Sequence, residues 1–197
     1  MTTGDADIKI RILSAAKKLF AENGFDKTTV RQICEEAGAN VALVSYHFGG
    51  KENMFYALFD YYFPNNQIAE LDPMQIDPVE GVRLIVREVT NFRYSDYQLI
   101  NIIQQEVIMN TDRIEKIRKH VMPMWGKLRY WLKEGREQGL FQFNSLDNTL
   151  FSIIGTLLFH RNSQYWAILH EEERSSQEAI VEDLTLFILG GLYYKGE

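Results

Sequence analysis

The chain has a single cysteine, Cys34, so no intrachain disulfide is possible and a reducing cytosol is its expected home. Cys34 stands mid-helix between apolar neighbours and is expected to be buried as packing. There are four prolines, three of them within 64–78, so the strongest helix breaker is nearly absent elsewhere. No apolar run approaches the roughly 18 residues that a membrane span needs. The opening MTTGDADIKIR lacks the basic-then-apolar pattern of a secretory leader. A cytoplasmic location with no membrane partner is therefore expected. The four histidines, His47, His120, His160 and His170, are scattered, and none stands at a metal-ligand spacing from Cys34 or a carboxylate. GxSxG, GxGxxG, GxxxxGK[ST] and HExxH are all missing. These absences predict no catalytic residue, no metal and no cofactor. Positive charge is scarce as well: the chain is net −6 at pH 7.

What is present is helical periodicity. The 197 residues, 46% hydrophobic, suffice for one large domain or two small ones with a packed core. Ile8, Ile12, Ala15, Ala16, Leu19 and Phe20 recur at three-four spacing and predict a helix over 8–23, stopped by Gly24, with Phe25 tucked back into the core. Met54, Phe55, Leu58, Phe59 and Tyr62 predict another over 51–63, ending before Pro64. Residues 64–78 read as an irregular connection. Helices are then expected at about 78–93, 96–109, 111–138 (with Pro123 as the place for a bend), 146–171 and 176–194. No alternating strand pattern occurs, and the expected fold is all-α.

Residues 29–55 carry the densest local signals. Thr29-Val30-Arg31-Gln32 is a capping-box pattern that opens a short helix. Ala37-Gly38 ends it, because glycine adopts the positive φ that a helix C-terminus often needs. Asn40 can cap a second helix, roughly 41–47, which Gly49-Gly50 stops. Ile33, Ala37 and Val44 are placed to pack the two together. Helix, short glycine turn and helix is the helix-turn-helix shape, whose second helix fits the DNA major groove. Residues 1–54 carry seven Lys/Arg and seven Asp/Glu, so this part is neutral and the acidity lies in 55–197. A neutral head attracts phosphate weakly, and specific binding then relies on shape, helix caps and a dimer.

Ala15-Ala16, Leu19-Phe20, Gly24-Phe25, Thr28-Thr29-Val30, Ile33, Ala37-Gly38, Tyr46-His47-Phe48, Lys51-Glu52 and Phe55 together resemble the N-terminal pattern of the TetR, or tetracycline-repressor-like, family of transcription regulators. The resemblance covers about the first 60 residues. It implies an N-terminal three-helix helix-turn-helix domain at 1–50, a connecting helix at 51–63, and a larger C-terminal helical ligand-binding and dimerisation domain at 64–197. It also implies that Val41, Ala42, Leu43 and Ser45 face bases. The side chains of Val41, Ala42 and Leu43 form no hydrogen bonds, so thymine methyl contacts and DNA shape gain weight. Tyr46 and His47 match positions that bind backbone phosphate, Lys51 adds charge at a helix N-terminus, and Thr29, Arg31 and Asn40 are further phosphate candidates.

The last two helices read as a dimer interface. Leu150, Ile154, Leu157, Leu158 and Ile168 share one face, and Ile180, Val181, Leu184, Phe187, Ile188 and Leu192 share another, with Gly191 permitting close approach. The resemblance implies a four-helix bundle built from this pair in each subunit. Two charges fall on apolar stripes, Glu106 and Arg161, and buried charges need partners. Each is either half of a structural or dimer-interface ion pair or a group lining an effector pocket, whose apolar wall Phe92, Met122, Trp125, Leu128 and Phe151 could supply. The run Arg113 to His120 reads as a solvated helix face, and His170 as solvated too. The expected protein is a homodimeric regulator, a repressor that leaves a palindromic double-stranded DNA operator when a small, largely apolar effector binds. Phe59 to Phe63 would then pack on the C-terminal domain and pass the effector's influence to the reading head. The competing class is an all-α enzyme or small-molecule carrier with a vestigial helix-turn-helix.

Overall fold

The computed structural model describes residues 3–63, 70–159, 168–169, 171 and 175–196, with side chains from Ala6 onward. Among the described residues there are nine α-helices and no strand, as expected: α1 (Thr3–Asn23), α2 (Val30–Ala37), α3 (Val41–Phe48), α4 (Lys51–Tyr62), α5 (Pro78–Ser95), α6 (Tyr97–Met109), α7 (Ile114–Glu137), α8 (Leu146–Leu158) and α9 (Gln177–Gly191). No described helix is long and apolar enough to cross a membrane. A single 3-10 turn, Pro73–Gln75, breaks the irregular connection before α5.

Three boundaries differ from expectation. α1 begins at Thr3 rather than at residue 8, because a helix can run on through polar residues ahead of its apolar stripe. α8 ends at Leu158 rather than near 171: Phe159 turns out of the helix at φ −66, ψ 130, while its N–H still bonds the Gly155 carbonyl. The rest of that expected helix, with His160, Arg161 and Trp166, lies outside the described residues, as does His170. Ile168, expected on the α8 face, is exposed beyond the helix. α9 closes at Gly191 rather than 194, and Tyr193 then takes a left-handed φ of 55.

The chain forms two compact units. The first comprises the described residues of Met1–Asn66 and of Asp96–Val121; the second comprises those of Gln67–Ser95 and of Met122–Glu197. In the first unit α1, α2, α3, α4 and α6 close over Ile12, Phe20, Ile33, Val44, Met54, Phe55, Leu58, Leu99 and Ile102. Phe20, Phe25, Phe55 and Phe59 pack as a chain of rings with centroids 5.1–5.4 Å apart, and Phe25 does turn back into the core. Such pairs contribute roughly 0.5–1.5 kcal/mol each beyond their buried area. α6 is fixed to α1 at both ends. Lys17 Nζ lies 2.7 Å from the Asp96 carboxylate, which also caps α6 through the Leu99 N–H, and Gln105 Nε2 donates to the Ala21 carbonyl at 2.9 Å.

In the second unit α5 turns Val82, Ile85, Val86 and Val89 inward against α8 and α9. Trp131 is fully buried and lies on Gly81 of α5. A Cβ there would come within 2.2 Å of the indole, so only glycine allows this approach. The Trp131 indole N–H donates to the Pro73 carbonyl at 3.0 Å, which ties the 3-10 turn to α7. Arg93 donates to the Leu157 and Phe159 carbonyls at 2.7 and 3.1 Å, satisfying acceptors that the end of α8 leaves open.

Candidate nucleic-acid interface

The two short helices of the head are held by their own end residues. Thr29 caps α2 with a complete capping box: its hydroxyl oxygen accepts from the Gln32 N–H at 3.2 Å, and the Gln32 side chain accepts from the Thr29 N–H at 2.8 Å. Gly38 ends α2 at φ 61, ψ 42. Asn40 caps α3 by accepting from the Ala42 N–H at 2.9 Å, and Gly49 ends it at φ 72. Each end was expected from the sequence. Helices of eight residues are marginal alone in water, so these caps, each of about 1 kcal/mol, and the buried Ile33, Ala37, Val44 and Phe48 set their geometry.

At about 100° per residue, burying Val44 and Phe48 turns positions 41, 42, 45 and 46 outward. Val41 is 49% exposed, Tyr46 is 73% exposed, and Ala42 and Ser45 lie on the same open ridge. Leu43 does not join it. It is half-buried on the flank of α3, so three of the four positions expected to face bases form the ridge. His47, four residues on, shares the flank of Leu43, its ring 4.9 Å from that of Tyr46.

The phosphate candidates differ in how free they are. Thr29 and Asn40 are exposed, yet their oxygens are committed to the caps. Arg31 pairs with Glu35 at 3.0 Å, with both side chains largely in solvent, a pairing that contributes little and yields readily to a phosphate. Lys51 is half-buried, its Nζ 4.2 Å from the centre of the Phe25 ring. Burial pushes the Lys51 ammonium below the usual lysine range; the Asp26 carboxylate opposes that fall and the Arg113 guanidinium adds to it. α4 starts at Lys51 with no side-chain cap, so its first N–H groups are open to an anion.

The residues expected to wall an effector pocket differ in burial. Trp125 and Leu128 are buried in the second unit and Phe92 is half-buried there, but Met122 and Phe151 are exposed. Glu106 belongs to the first unit, is 4% exposed, and is held by the Arg113 guanidinium at 2.9 and 3.3 Å and by the Thr111 hydroxyl. It is the structural ion pair, and Arg113 is drawn inward to it rather than solvated. His120 also departs from a solvated face: Nε2 lies 3.4 Å from the Asp60 carboxylate, and the ring lies against Phe59 and Phe63. The far end of α4 therefore packs on the first part of α7, a part of 64–197 that belongs to the same compact unit as α4. Lys17 and Trp131 were not singled out from sequence, and Arg113 only as part of a solvated face; the signal for its inward role was Glu106 itself, a carboxylate on an apolar stripe that required a cation nearby.

On the expected interface helices, Leu150, Leu157 and Ile188 lie in the second unit's own core, while Ile154 and Leu184 are half-buried at its edge. The outward face carries Phe151, Leu186 and Phe187, each 68–71% exposed, together with Phe159. Two open grooves of about 680 and 610 Å³ run along it, both lined by Thr156 and Phe187, with the exposed Gly155 in one and Gly190 and Gly191 in the other.

The model of the family described as "Bacterial regulatory proteins, tetR family" matches residues 12–58, the span that builds this head. Over nearly the whole chain the fold is that of HlyIIR, a hemolysin II transcriptional regulator, with a TM-score of 0.76 and 30% identity, covering 95% of this chain and 98% of that one. The chain belongs to the TetR family. It is accordingly a DNA-binding transcription regulator. A further relative, the HTH-type transcriptional repressor NicS of Pseudomonas putida, is 25% identical over 157 residues, which cover 77% of this chain and 74% of NicS. The same fold is found in AibR, solved in complex with isovaleryl coenzyme A and operator DNA, at a TM-score of 0.70 and 18% identity over 91% of this chain and 97% of that one.

Proposed function

We propose that the protein is a cytoplasmic, homodimeric repressor, and not an enzyme, whose α3 enters the major groove of a palindromic operator and whose release is triggered by a small, largely apolar effector. The observation that carries this is the outward ridge of Val41, Ala42, Ser45 and Tyr46 on a helix fixed by caps at both ends. A rigid helix presenting small side chains comes close to base edges, where valine and alanine meet thymine methyl groups and Ser45 forms the hydrogen bonds. Tyr46, His47, Lys51 and the open N-terminus of α4 hold the phosphates beside it, with Arg31 as a further contact. Functionally, 1–50 is the reading head, 51–63 the connecting helix, and 64–197 the part that binds effector and dimerises. The dimer forms through the outward face of α8 and α9, around Phe151, Leu186 and Phe187, with Leu184 and Ile154 at its edge.

The neutral head makes a dimer necessary, because one module with few phosphate contacts binds weakly. Two heads must span successive major grooves about 34–36 Å apart, and an effector that favours a mis-spaced arrangement loses one half-site. The test is a gel shift on the DNA upstream of the protein's own gene, with and without small molecules extracted from protein purified from its host. A shifted band abolished by the extract is expected. A protein that binds no DNA from that region, or binds it equally in the presence of the extract, contradicts the proposal.

A further inference from the structure

The turn between α6 and α7 places one guanidinium at the centre of the reading head's support. Asn110 ends α6 in a left-handed conformation, φ 48, and reverses the chain so that Arg113 returns over Glu106. The guanidinium engages both carboxylate oxygens, Nε to Oε2 at 2.9 Å and Nη2 to Oε1 at 3.3 Å. Such a fork fixes the plane of the group as well as its position. Because Glu106 is buried, leaving it unpaired is costly, and Arg113 is held where it is. The same guanidinium lies 4.0 Å over the Phe25 ring, with Asp26 3.7 Å away. Phe25 opens the loop that leads to α2, and its ring also carries the Lys51 ammonium at 4.2 Å.

We propose that Arg113 is a positioning residue for DNA binding: clamped by Glu106, it fixes the Phe25 ring against which Lys51 lies, and so sets operator affinity without touching DNA. This rests on the reading that Lys51 meets backbone phosphate. A lysine in free solvent must give up rotamer freedom and hydration to hold a phosphate. Here the ring has already restricted it. Arg113 repels the ammonium across the shared ring, and Asp26 limits that repulsion, so the charge is kept near the ring while poorly compensated. A phosphate then supplies the counter-charge that the protein withholds.

The test uses the full chain and a duplex selected from random-sequence DNA by the wild-type protein. Operator affinity is measured by fluorescence anisotropy against salt for wild type, Lys51→Ala, the double change Glu106→Gln with Arg113→Gln, and the triple combination. The double change removes the buried carboxylate and its guanidinium together, which avoids an orphaned carboxylate. Lys51→Ala is expected to weaken binding and lower the salt slope by about one phosphate. The double change is expected to weaken binding by roughly three- to tenfold, the range of a lost partly desolvated cation–π contact, and to add nothing once Lys51 is alanine. Arg113→Lys, which keeps the charge and loses the planar fork, is expected to fall between and serves if the double change does not fold. Equal losses in both backgrounds overturn the inference, since they show a structural effect independent of Lys51. A folded double variant with wild-type affinity overturns it as well. If Lys51→Ala is itself silent, the phosphate reading fails and takes this inference with it; if Lys51→Ala weakens binding and the Arg113 variants do not, the inference alone fails.

Discussion

Phe187 and Ile188 are neighbours on α9 with opposite surroundings, and this pair separates dimerisation from folding. Phe187 is 69% exposed on the outward face, whereas Ile188 is 4% exposed in the core. In a two-fold interface Phe187 occurs twice. Burying a phenylalanine contributes about 1.5–3 kcal/mol, so losing two removes about 3–6 kcal/mol of association. At 1.4 kcal/mol per tenfold, Phe187→Glu should weaken the dimer by roughly two to four orders of magnitude, and burying the new carboxylates adds to that. The lone subunit loses little, because the side chain stood in solvent. Ile188→Glu places a charge in the core and should unfold the second unit. The assay is sedimentation equilibrium for mass with circular dichroism for helix content. Phe187→Glu should give a helical monomer and Ile188→Glu a chain with lost helix. A Phe187→Glu protein that stays dimeric at micromolar concentration, or that loses helix as Ile188→Glu does, would refute the assignment of this face.

Further outcomes are expected elsewhere. Gly81→Ala forces the Trp131 indole aside and should destabilise the second unit by about 1–3 kcal/mol, read as a lower Tm in a thermal melt. Asn40→Ala removes the α3 cap and should cost about 1 kcal/mol of stability, with weaker operator binding in the same sample. Val41→Ser and Ser45→Ala should change which sequences are selected, whereas Tyr46→Ala should weaken all sequences alike, as selection from random DNA would show. The Tyr56 hydroxyl donates to Glu52, and burial first, with that carboxylate second, pushes it from 10.0 up to about 12. Between those values the folded state keeps a proton that the unfolded state has lost, so stability falls as pH rises from about 10 to 12. Tyr56→Phe should flatten the denaturant midpoint across that window.

The head was legible because its geometry is written in short-range chemistry. Thr29, Gly38, Asn40 and Gly49 each act within four residues of where they stand, so pattern alone placed both helices and the turn. Burying Val44 then settled which residues of α3 face outward, except that Leu43, between the two faces, could not be assigned without the neighbouring helices. Glu106 was legible as a problem and not as a solution: its partner lies seven residues on, across a turn whose direction depends on the left-handed Asn110. α8 and α9 show the limit most clearly. Leu150 and Phe151 are adjacent and both apolar, yet one is buried and the other open. A helix apolar on two sides must be covered twice, and periodicity does not say which side belongs to its own subunit. The effector wall was not legible for a related reason, because stripes on α5, α6, α7 and α8 show that each is covered and not by which neighbour.

The central claim is that α3 reads DNA as one of a pair. Its most direct measurement is a hydroxyl-radical footprint on a duplex selected from random sequence, with wild type and with Tyr46→Ala plus Lys51→Ala. The wild-type protein should protect two matching patches related by a two-fold axis, centred one helical turn or a small multiple of it apart, and the double variant should lose both together. A single patch, patches with no two-fold relation, or a footprint that survives Tyr46→Ala with Lys51→Ala would contradict the account.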